Sequence, residues 1–450
     1  MSRRQRQWVI VLGVAAIVLG GMVEWRSVFL KRRMTDVGCY LRAAWAVRVG
    51  GDLYGVTDDN HWHYNYPPLL AVLLTPFADA PAGQPQPLAV PYAASVAIWY
   101  AASVVAICLA VHWLAMALSS VAGLREAGPH VQRTRGPGSV TPATEEEQAP
   151  RYGESWWALR LLPILILVPA IARTLARGQV NLFVVALLAG WIAAVVRGRR
   201  FRGGLYLAAA VCLKVIPALL VIHPLWRRDR RCLLGTATGL LLGLVVLPAA
   251  ACGPRAAYDQ ARTYLTVTLL PGVGIPSGDA SRHRELTSIN TTDSQSMMTA
   301  LHNLAHPNPW FRPAVVDSWV RRTHWAAAVA MLAITLWRFR RPDHSARTEM
   351  RFAGALMVVM TLASPVAHLH YFVFCLPLVA SLWAGERSRG LVTVTAFFVF
   401  AHAASLLPVD LFRSFGLTTA AALALWGTAI VTRDRSAVQS RREPAPRLAA

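Results

Sequence analysis

Charged residues are scarce in this sequence, and acidic ones especially so. Only 15% of the 450 residues are charged, and 23 Asp and Glu stand against 45 Lys and Arg. With 55% hydrophobic residues and a mean hydropathy of +0.40, the composition departs far from that of a soluble globular protein. Apolar runs of about 17 to 25 residues, the length needed to cross the hydrocarbon of a bilayer, recur from residue 8 to residue 432. The sequence therefore predicts an integral membrane protein.

Paired cysteines and nucleotide-binding glycine motifs are also missing. The six cysteines are scattered with no CxxC spacing, so neither a disulfide framework nor a metal site is indicated. No Gly-rich fingerprint follows a strand, and no soluble segment is present that would hold a nucleotide. We therefore expect no cofactor and no metal.

The positive charge is concentrated in the loops between the apolar runs. A net charge of +22 would suggest nucleic acid in a soluble protein, but alternate loops carry 26 of the 45 Lys and Arg. The positive-inside rule places these loops and both termini in the cytoplasm and the intervening loops outside, so membrane lipids rather than nucleic acid are expected around the chain. The basic loops are residues 1–7, 119–155, 197–202, 226–231, 338–348, 385–389 and 433–450.

The apolar runs predict an all-α fold, a polytopic bundle of about twelve transmembrane helices. The first external loop, between Glu24 and Pro67, is expected to carry short juxtamembrane helices that lie along the bilayer. The expected divisions are an integral membrane domain at 1–432, with a flexible cytoplasmic loop at 119–155 and a long external loop at 252–323, and a basic cytoplasmic tail at 433–450.

Lys214, one of only two lysines, lies in the middle of a short segment bounded by basic residues. Both ends of this segment are basic enough to lie inside, so the chain must go out and return within about two dozen residues. With Pro217 near the midpoint, we expect two short helices whose turn carries Lys214 and stays within the membrane. The alternative is a lysine that snorkels to the outer headgroups.

Four motifs follow one another along the chain: Asp36 with Tyr40 and Leu53-Tyr54; Tyr66-Pro67-Pro68-Leu69; Gly178-Gln179-Val180-Asn181; and Lys214 three residues before Pro217. In this order they resemble glycosyltransferase family 87, the polyprenol-phosphate-mannose-dependent group within the GT-C class of polytopic glycosyltransferases. Ser294-Gln295-Ser296 and the turn from Ser364-Pro365 to His370 look like two further patterns of that family.

The resemblance implies a GT-C membrane hexosyltransferase of a bacterial plasma membrane. Such an enzyme transfers mannose, with inversion, from a polyprenyl-phosphate donor to a glycolipid or cell-envelope glycan on the extracytoplasmic face. A polyprenyl-phosphate-arabinose-dependent arabinosyltransferase is one alternative, because the same scaffold and leaving group would serve. A lipid-linked sugar transporter or flippase is another, but the broken helices and mid-span ionisable residues expected of it occur only around Lys214.

Asp36 is the expected general base, since inverting transfer needs a group that takes the proton of the acceptor hydroxyl. A solvated acid paired with Arg32 or Arg33 is the alternative interpretation of this residue. Neighbouring carboxylates that compete for the role are Asp52, Asp58 and Asp59.

Cations are expected at the carrier phosphate, where they stabilise the charge that grows as the glycosidic bond breaks. Lys214 is the first candidate, and His370, Arg42, Arg173 and Arg177 are expected beside it. Although His368 precedes His370 by two residues, no third ligand stands at a recognisable spacing, so a metal is not predicted.

Sugar and acceptor contacts are expected from Tyr66, Gln179, Asn181 and Gln295, with Trp62 as a further aromatic candidate. Polar residues that open a span can equally cap it or join two helices. Aromatic residues also form girdles at membrane interfaces, so neither residue type is specific by itself.

Overall fold

The fold is helical throughout the residues that the structure, a computed structural model, describes. These are residues 3–30, 36–85, 90–126, 152–272, 275, 294–341, 345–385, 388–407 and 409–432. Within these ranges no β-strand forms, and the β-type pairing consists of two isolated bridges, Thr57 with His63 and Ser294 with His368. The predicted all-α class is confirmed.

The α-helices of the first half are α1 (Arg3–Phe29), α2 (Asp36–Val49), α3 (Pro68–Leu73), α4 (Tyr92–Glu126), α5 (Tyr152–Arg177), α6 (Asn181–Val196), α7 (Arg200–Leu213) and α8 (Ile222–Trp226). Those of the second half are α9 (Arg230–Leu241), α10 (Leu247–Cys252), α11 (Pro254–Thr263), α12 (Leu270–Gly272), α13 (Met297–Ala305), α14 (Ser318–Arg338), α15 (Ala346–Ala363), α16 (Leu376–Trp383), α17 (Arg389–Ala404), α18 (Asp410–Ser414) and α19 (Leu417–Val431).

Four helices of the described residues are long and apolar enough to cross a membrane: Arg3–Phe29, Tyr92–Ser119, Leu159–Arg177 and Arg230–Cys252. The last of these consists of α9 and α10, which the π-helical segment Leu242–Val246 joins into one continuous helix. Other apolar helices are shorter, and proline interrupts some of them because its ring removes a helical hydrogen bond. Pro217 lies in the first turn of the 3₁₀ segment Ile216–Val221, and Pro377 lies in the first turn of α16. The structure supports a membrane protein, while the count of about twelve spans stays a prediction.

Helices α1 and α15 show the two extremes of burial. Only Val23 and Ser27 of α1 are buried, whereas α15 is buried along nearly its whole length. α1 is held at the edge of the bundle, where the Tyr100 hydroxyl of α4 donates to the Ala16 carbonyl at 2.6 Å. An apolar helix that exposes almost all its side chains is suited to contact with lipid, whereas α15 forms the centre of the bundle.

Close backbone contact joins α7 to α9. A Cβ at Gly204 would lie 2.1 Å from the carbonyl oxygen of Cys232, and one at Gly235 would lie 2.1 Å from that of Phe201. Small residues permit such approach between membrane helices. This contact fixes α7, and the end of α7 carries Lys214.

Several predicted segments fall partly or wholly outside the described residues. The predicted loop at 119–155 is helical at both ends, up to Glu126 in α4 and from Tyr152 in α5. The described part of 252–323 contains α11, α12, α13 and the start of α14. The basic tail at 433–450 lies outside the described residues, as do Arg32 and Arg33.

Candidate active site

The candidate site lies where the ends of several helices come together. The first of these places is the turn between α5 and α6. The Gly178 amide donates to the Leu175 carbonyl and the Gln179 amide to the Thr174 carbonyl, each at 3.1 Å. Together with the positive φ of +67° at Gly178, these bonds form a Schellman motif, which ends α5. The indole of Trp99 donates to the Gly178 carbonyl at 2.9 Å. The turn therefore fixes the backbone position of Gln179.

Lys214 lies at a second interruption, between α7 and the 3₁₀ segment. Its backbone is extended, with φ −154° and ψ 126°, and the chain turns again before Pro217. Pro217 has no N–H to donate to the Leu213 carbonyl four residues earlier, and its ring would clash with that carbonyl in a continuous helix, which explains the break. The break is present where the sequence predicts it.

Asp36 is bound through a chain of side-chain hydrogen bonds at the start of α2. The side-chain amide of Gln179 donates to Oδ2 of Asp36. The hydroxyl of Tyr66 donates to Oε1 of Gln179 at 3.0 Å, and the hydroxyl of Tyr40 donates to that of Tyr66, also at 3.0 Å. Both ends of the Gln179 amide are thus engaged, so the amide holds the carboxylate in one orientation.

The carboxyl of Asp36 has a perturbed acidity. α2 is not among the candidate spans, and burial raises the pKa of this carboxyl from 3.8 to about 6. The charges of Arg177, Lys214 and Arg173 lower the pKa in part, and the Asp58 carboxylate raises it further. The result is a carboxylate that is ionised at neutral pH and more basic than an ordinary aspartate.

The ammonium of Lys214 is enclosed by protein. Its Nζ donates to Oδ1 of Asn181 at 2.8 Å and lies 4.0 Å from the centroid of the Tyr371 ring. The amide of Asn181 donates in turn to the carbonyl of His370 at 3.1 Å, which links the 214 turn to the 370 turn. With only 7% of its surface exposed, Lys214 does not extend to the headgroups as snorkelling would require.

A cationic recess adjoins this centre. It encloses about 370 Å³, part of it open to solvent. His370 is buried in its wall, and the Nδ1 atom of that ring has no hydrogen-bond partner among the described residues. Within the described part of the chain no acidic side chain lines the recess, so its chemistry is suited to an anion. Its lining consists of Arg173, Arg177, Arg413, His368, His370, Gln295, Leu369, Ser405 and Leu406.

Arg42 lies on α2, but its guanidinium is committed to the loop that follows. Nε donates to the Asp79 carbonyl at 3.1 Å, Nη1 to the Thr57 carbonyl at 3.1 Å and Nη2 to the Asp59 carboxylate at 2.8 Å. These bonds fold the loop onto α2. They give no support to the expectation that Arg42 binds the carrier phosphate, which stays a prediction.

Gln295 lines the recess, yet its amide joins two parts of the fold. Its Nε2 donates to the Arg413 carbonyl at 2.7 Å, and its Oε1 accepts from the Thr418 hydroxyl at 2.6 Å. The contacts favour a role in packing the segment before α13 against α19. The expected acceptor contact of Gln295 therefore stays a prediction without geometric support.

The carboxylates that compete with Asp36 each serve the local loop. Asp59 pairs with Arg42, and Oδ1 of Asp52 accepts from the Tyr54 amide at 2.9 Å. Oδ1 of Asp58 accepts two backbone amides within its own turn. The geometry therefore favours Asp36 over all three.

The residues of the site that the sequence analysis does not predict include Tyr371 beneath Lys214 and Arg413 in the recess. Tyr371 adjoins His370 in the chain, so the same turn motif carried a signal for it. Arg413 carried none beyond its charge. Among the described residues, no group of three His, Cys, Asp or Glu side chains comes together that could hold a metal ion.

Comparison with known proteins decides the family. The model of glycosyltransferase family 87 matches residues 64–365, about two thirds of the chain. The chain belongs to glycosyltransferase family 87. The predicted resemblance is confirmed, and this family 87 protein is a membrane glycosyltransferase. The matched range includes Tyr66, Gln179 and Lys214, whereas Asp36 and His370 lie outside it.

Two curated relatives of this family 87 chain share one description, polyprenol-phosphate-mannose-dependent alpha-(1-2)-phosphatidylinositol mannoside mannosyltransferase. The protein from Mycobacterium tuberculosis is 26% identical over 431 residues, which cover 93% of this chain and 86% of the relative. The protein from Mycolicibacterium smegmatis is 25% identical over 343 residues, which cover 74% of this chain and 65% of the relative.

Proposed function

We propose that this family 87 enzyme transfers mannose from polyprenyl-phosphate-mannose to a glycolipid or envelope-glycan acceptor, with inversion at the sugar carbon. Both relatives described above are named as polyprenol-phosphate-mannose-dependent enzymes of a phosphatidylinositol mannoside. The observation that carries the proposal is the Asp36 carboxylate, oriented by Gln179 and placed in the field of Lys214 and the arginines of α5.

Asp36 acts as the general base. Its carboxylate takes the proton of the acceptor hydroxyl while that oxygen forms a bond to the anomeric carbon of mannose. The bond from the same carbon to the carrier phosphate breaks on the opposite face, and the phosphate leaves with the bonding electron pair. A base with a pKa of about 6 is ionised at neutral pH yet still accepts a proton readily, which supports this role.

The leaving phosphate gains charge as the bond breaks, and the cations near Asp36 stabilise that charge. Lys214 and Arg177 both act on the Asp36 carboxyl through their charge, so a phosphate held by them lies close to the base. His370 and Arg173 line the adjoining recess. Fixed cations in a partly dry site stabilise an anion more strongly than cations in water.

The hydrogen-bond chain assigns positioning roles to three residues expected around the sugars. Tyr66 and Gln179 orient the carboxylate, and Asn181 orients the ammonium of Lys214. The carboxylate and the ammonium would then keep their orientations while the sugar moves between donor and acceptor. Contact of these three residues with sugar hydroxyls is compatible with the same arrangement.

The extracytoplasmic face is the proposed side of the reaction. The loops at Asp36, Gln179, Lys214 and His370 are all external by the charge rule, and their meeting at one site agrees with that assignment. Cysteines introduced at positions 130 and 280 test it, because an impermeant reagent added outside whole cells should label position 280 alone. Labelling at position 130 alone would reverse the proposed orientation.

The decisive experiment is transfer of radiolabelled mannose from synthetic polyprenyl-phosphate-mannose into extractable glycolipid by the purified protein in lipid. Incorporation by the wild type that is lost in Asp36→Asn would establish the donor and the base together. A parallel reaction with polyprenyl-phosphate-arabinose should give no product. Transfer of arabinose in place of mannose would refute the proposed donor.

A further inference from the structure

A short hairpin after α2 carries Trp62 and packs against the first turns of α2. Thr57 pairs with His63 across it, and the Asp58 amide donates to the Trp62 carbonyl at 3.0 Å. The buried carboxylate of Asp58 accepts from the Trp62 amide at 2.9 Å and from the Asn60 amide at 2.9 Å. These two hydrogen bonds stabilise the turn, so the hairpin has a fixed shape.

The hairpin rests on the first turns of α2. The thiol of Cys39 contacts the Trp62 carbonyl at 3.7 Å, and Arg42 donates to the Thr57 carbonyl at 3.1 Å. Cys39 lies three residues after Asp36 and therefore on the same side of the helix. The charge of Asp58 also acts on the Asp36 carboxyl. These contacts place the hairpin beside the proposed base.

Trp62 remains largely uncovered although its backbone is fixed. The side chain of this residue is 57% exposed. The preceding residue, His61, adopts φ +63°, a left-handed conformation that is energetically unfavourable for any residue other than glycine. A flat ring on a rigid backbone loses little conformational entropy when it is covered. The C–H face of a sugar ring is a flat apolar surface that suits such a partner.

We propose that Trp62 is the platform for a second sugar of the acceptor, the one next to the sugar whose hydroxyl reaches Asp36. The proposal rests on the proposed function, since that function defines the acceptor. It implies that the enzyme prefers acceptors that carry at least two sugars. The platform contributes binding to the acceptor and takes no part in the bond chemistry.

The test compares two synthetic acceptors, octyl α-mannoside and octyl α-mannobioside, by their KM with labelled donor and by titration calorimetry without donor. The wild type should prefer the mannobioside about tenfold, the effect expected from covering one ring face. Trp62→Ala should lose this preference with kcat and donor KM unchanged, and Trp62→Tyr should keep most of it. Trp62→Leu, which is apolar but not flat, should resemble Trp62→Ala.

Trp337 is the matched control, because it is 63% exposed and lies at the end of α14 beneath Arg340. Trp337→Ala should retain the tenfold preference. Equal changes with both acceptors, or an intact preference in Trp62→Leu, would overturn the platform and indicate contact with lipid instead. Binding of the mannobioside without transfer would count against the proposed function alone, whereas equal binding of both acceptors by the wild type would refute the platform.

Discussion

Replacement of Asp36 by asparagine removes the proposed base and leaves its surroundings intact. The side-chain oxygen of the introduced asparagine can accept the same hydrogen bond from the Gln179 amide, so the orientation of the site is preserved. A positioned general base contributes about 10²- to 10⁴-fold to a rate. We therefore expect kcat/KM for the acceptor to fall by roughly this factor, which corresponds to about 3–5 kcal/mol of transition-state stabilisation.

The pH dependence of kcat/KM provides a second test of Asp36 as the base. The carboxyl of Asp36 has a pKa of about 6, so it is protonated and unable to accept a proton at lower pH. In the wild type, kcat/KM should fall about tenfold per pH unit below pH 6. Asp36→Asn should lose this acid limb, because its residual rate does not depend on a carboxylate.

Asp36→Asn should lower the activity of the enzyme without lowering the stability of its fold. Because burial raises the folded-state pKa from 3.8 to about 6, folding favours the protonated form, and the ionised carboxylate costs up to about 3 kcal/mol above pH 6. This cost shrinks as the pH falls from 6 towards 3.8. Asparagine is never ionised, so Asp36→Asn at pH 7.5 should unfold at a temperature no lower than the wild type.

The assay is steady-state transfer of labelled mannose between pH 5 and 8, with Tm measured on the same preparations. Asp52→Asn is the matched control, since Asp52 bonds only within its own loop in the contacts described above, and its turnover should be unchanged. An Asp36→Asn enzyme that works within threefold of the wild type, or that retains the acid limb, would refute the assignment of the base.

The remaining predictions concern three other positions. Lys214→Met should raise the donor KM at least tenfold with the acceptor KM unchanged in the transfer assay, and an unaltered donor KM would remove Lys214 from the phosphate site. Tyr66→Phe should lower kcat about tenfold with both KM values retained, because the Gln179 amide loses the hydrogen bond that the Tyr66 hydroxyl donates at 3.0 Å. A change confined to the acceptor KM would instead indicate direct contact with a sugar. Glu349→Gln should lower Tm by several degrees, because it breaks a partly buried ion pair with Arg227 at 2.8 Å, and it should leave both KM values unchanged at low temperature.

The sequence predicts those features that have a local cause. Apolar composition is enough for the helical class and for membrane insertion. The break at Lys214 follows from Pro217, three residues later, and the turn at Gly178 follows from a residue that tolerates positive φ. In each case the signal and the structure lie within a few positions of one another.

Roles that depend on distant partners are not predictable in this way. The sequence predicts a sugar contact for Gln179, which stays a prediction, and carries no signal for the hydrogen bond from its amide to Asp36, 143 positions away. Ligand contacts are likewise predicted for Arg42 and Gln295. Their side chains form hydrogen bonds with partners up to 37 and 123 positions away, and these bonds hold the fold together. A single sequence contains no signal for these pairings, because the same side chains would suit either task.

The brevity of the motifs and the shortness of many helices have a common physical cause. Asp36, Gln179, Lys214 and His370 all lie at or next to a helix end, where backbone groups lack helical partners. Irregular backbone at membrane depth is tolerated only when protein or a wet cavity surrounds it, so such ends are drawn together in the bundle. An active site made from helix interruptions therefore leaves short polar motifs separated by long apolar stretches. It also leaves few helices long enough to be recognised as complete spans.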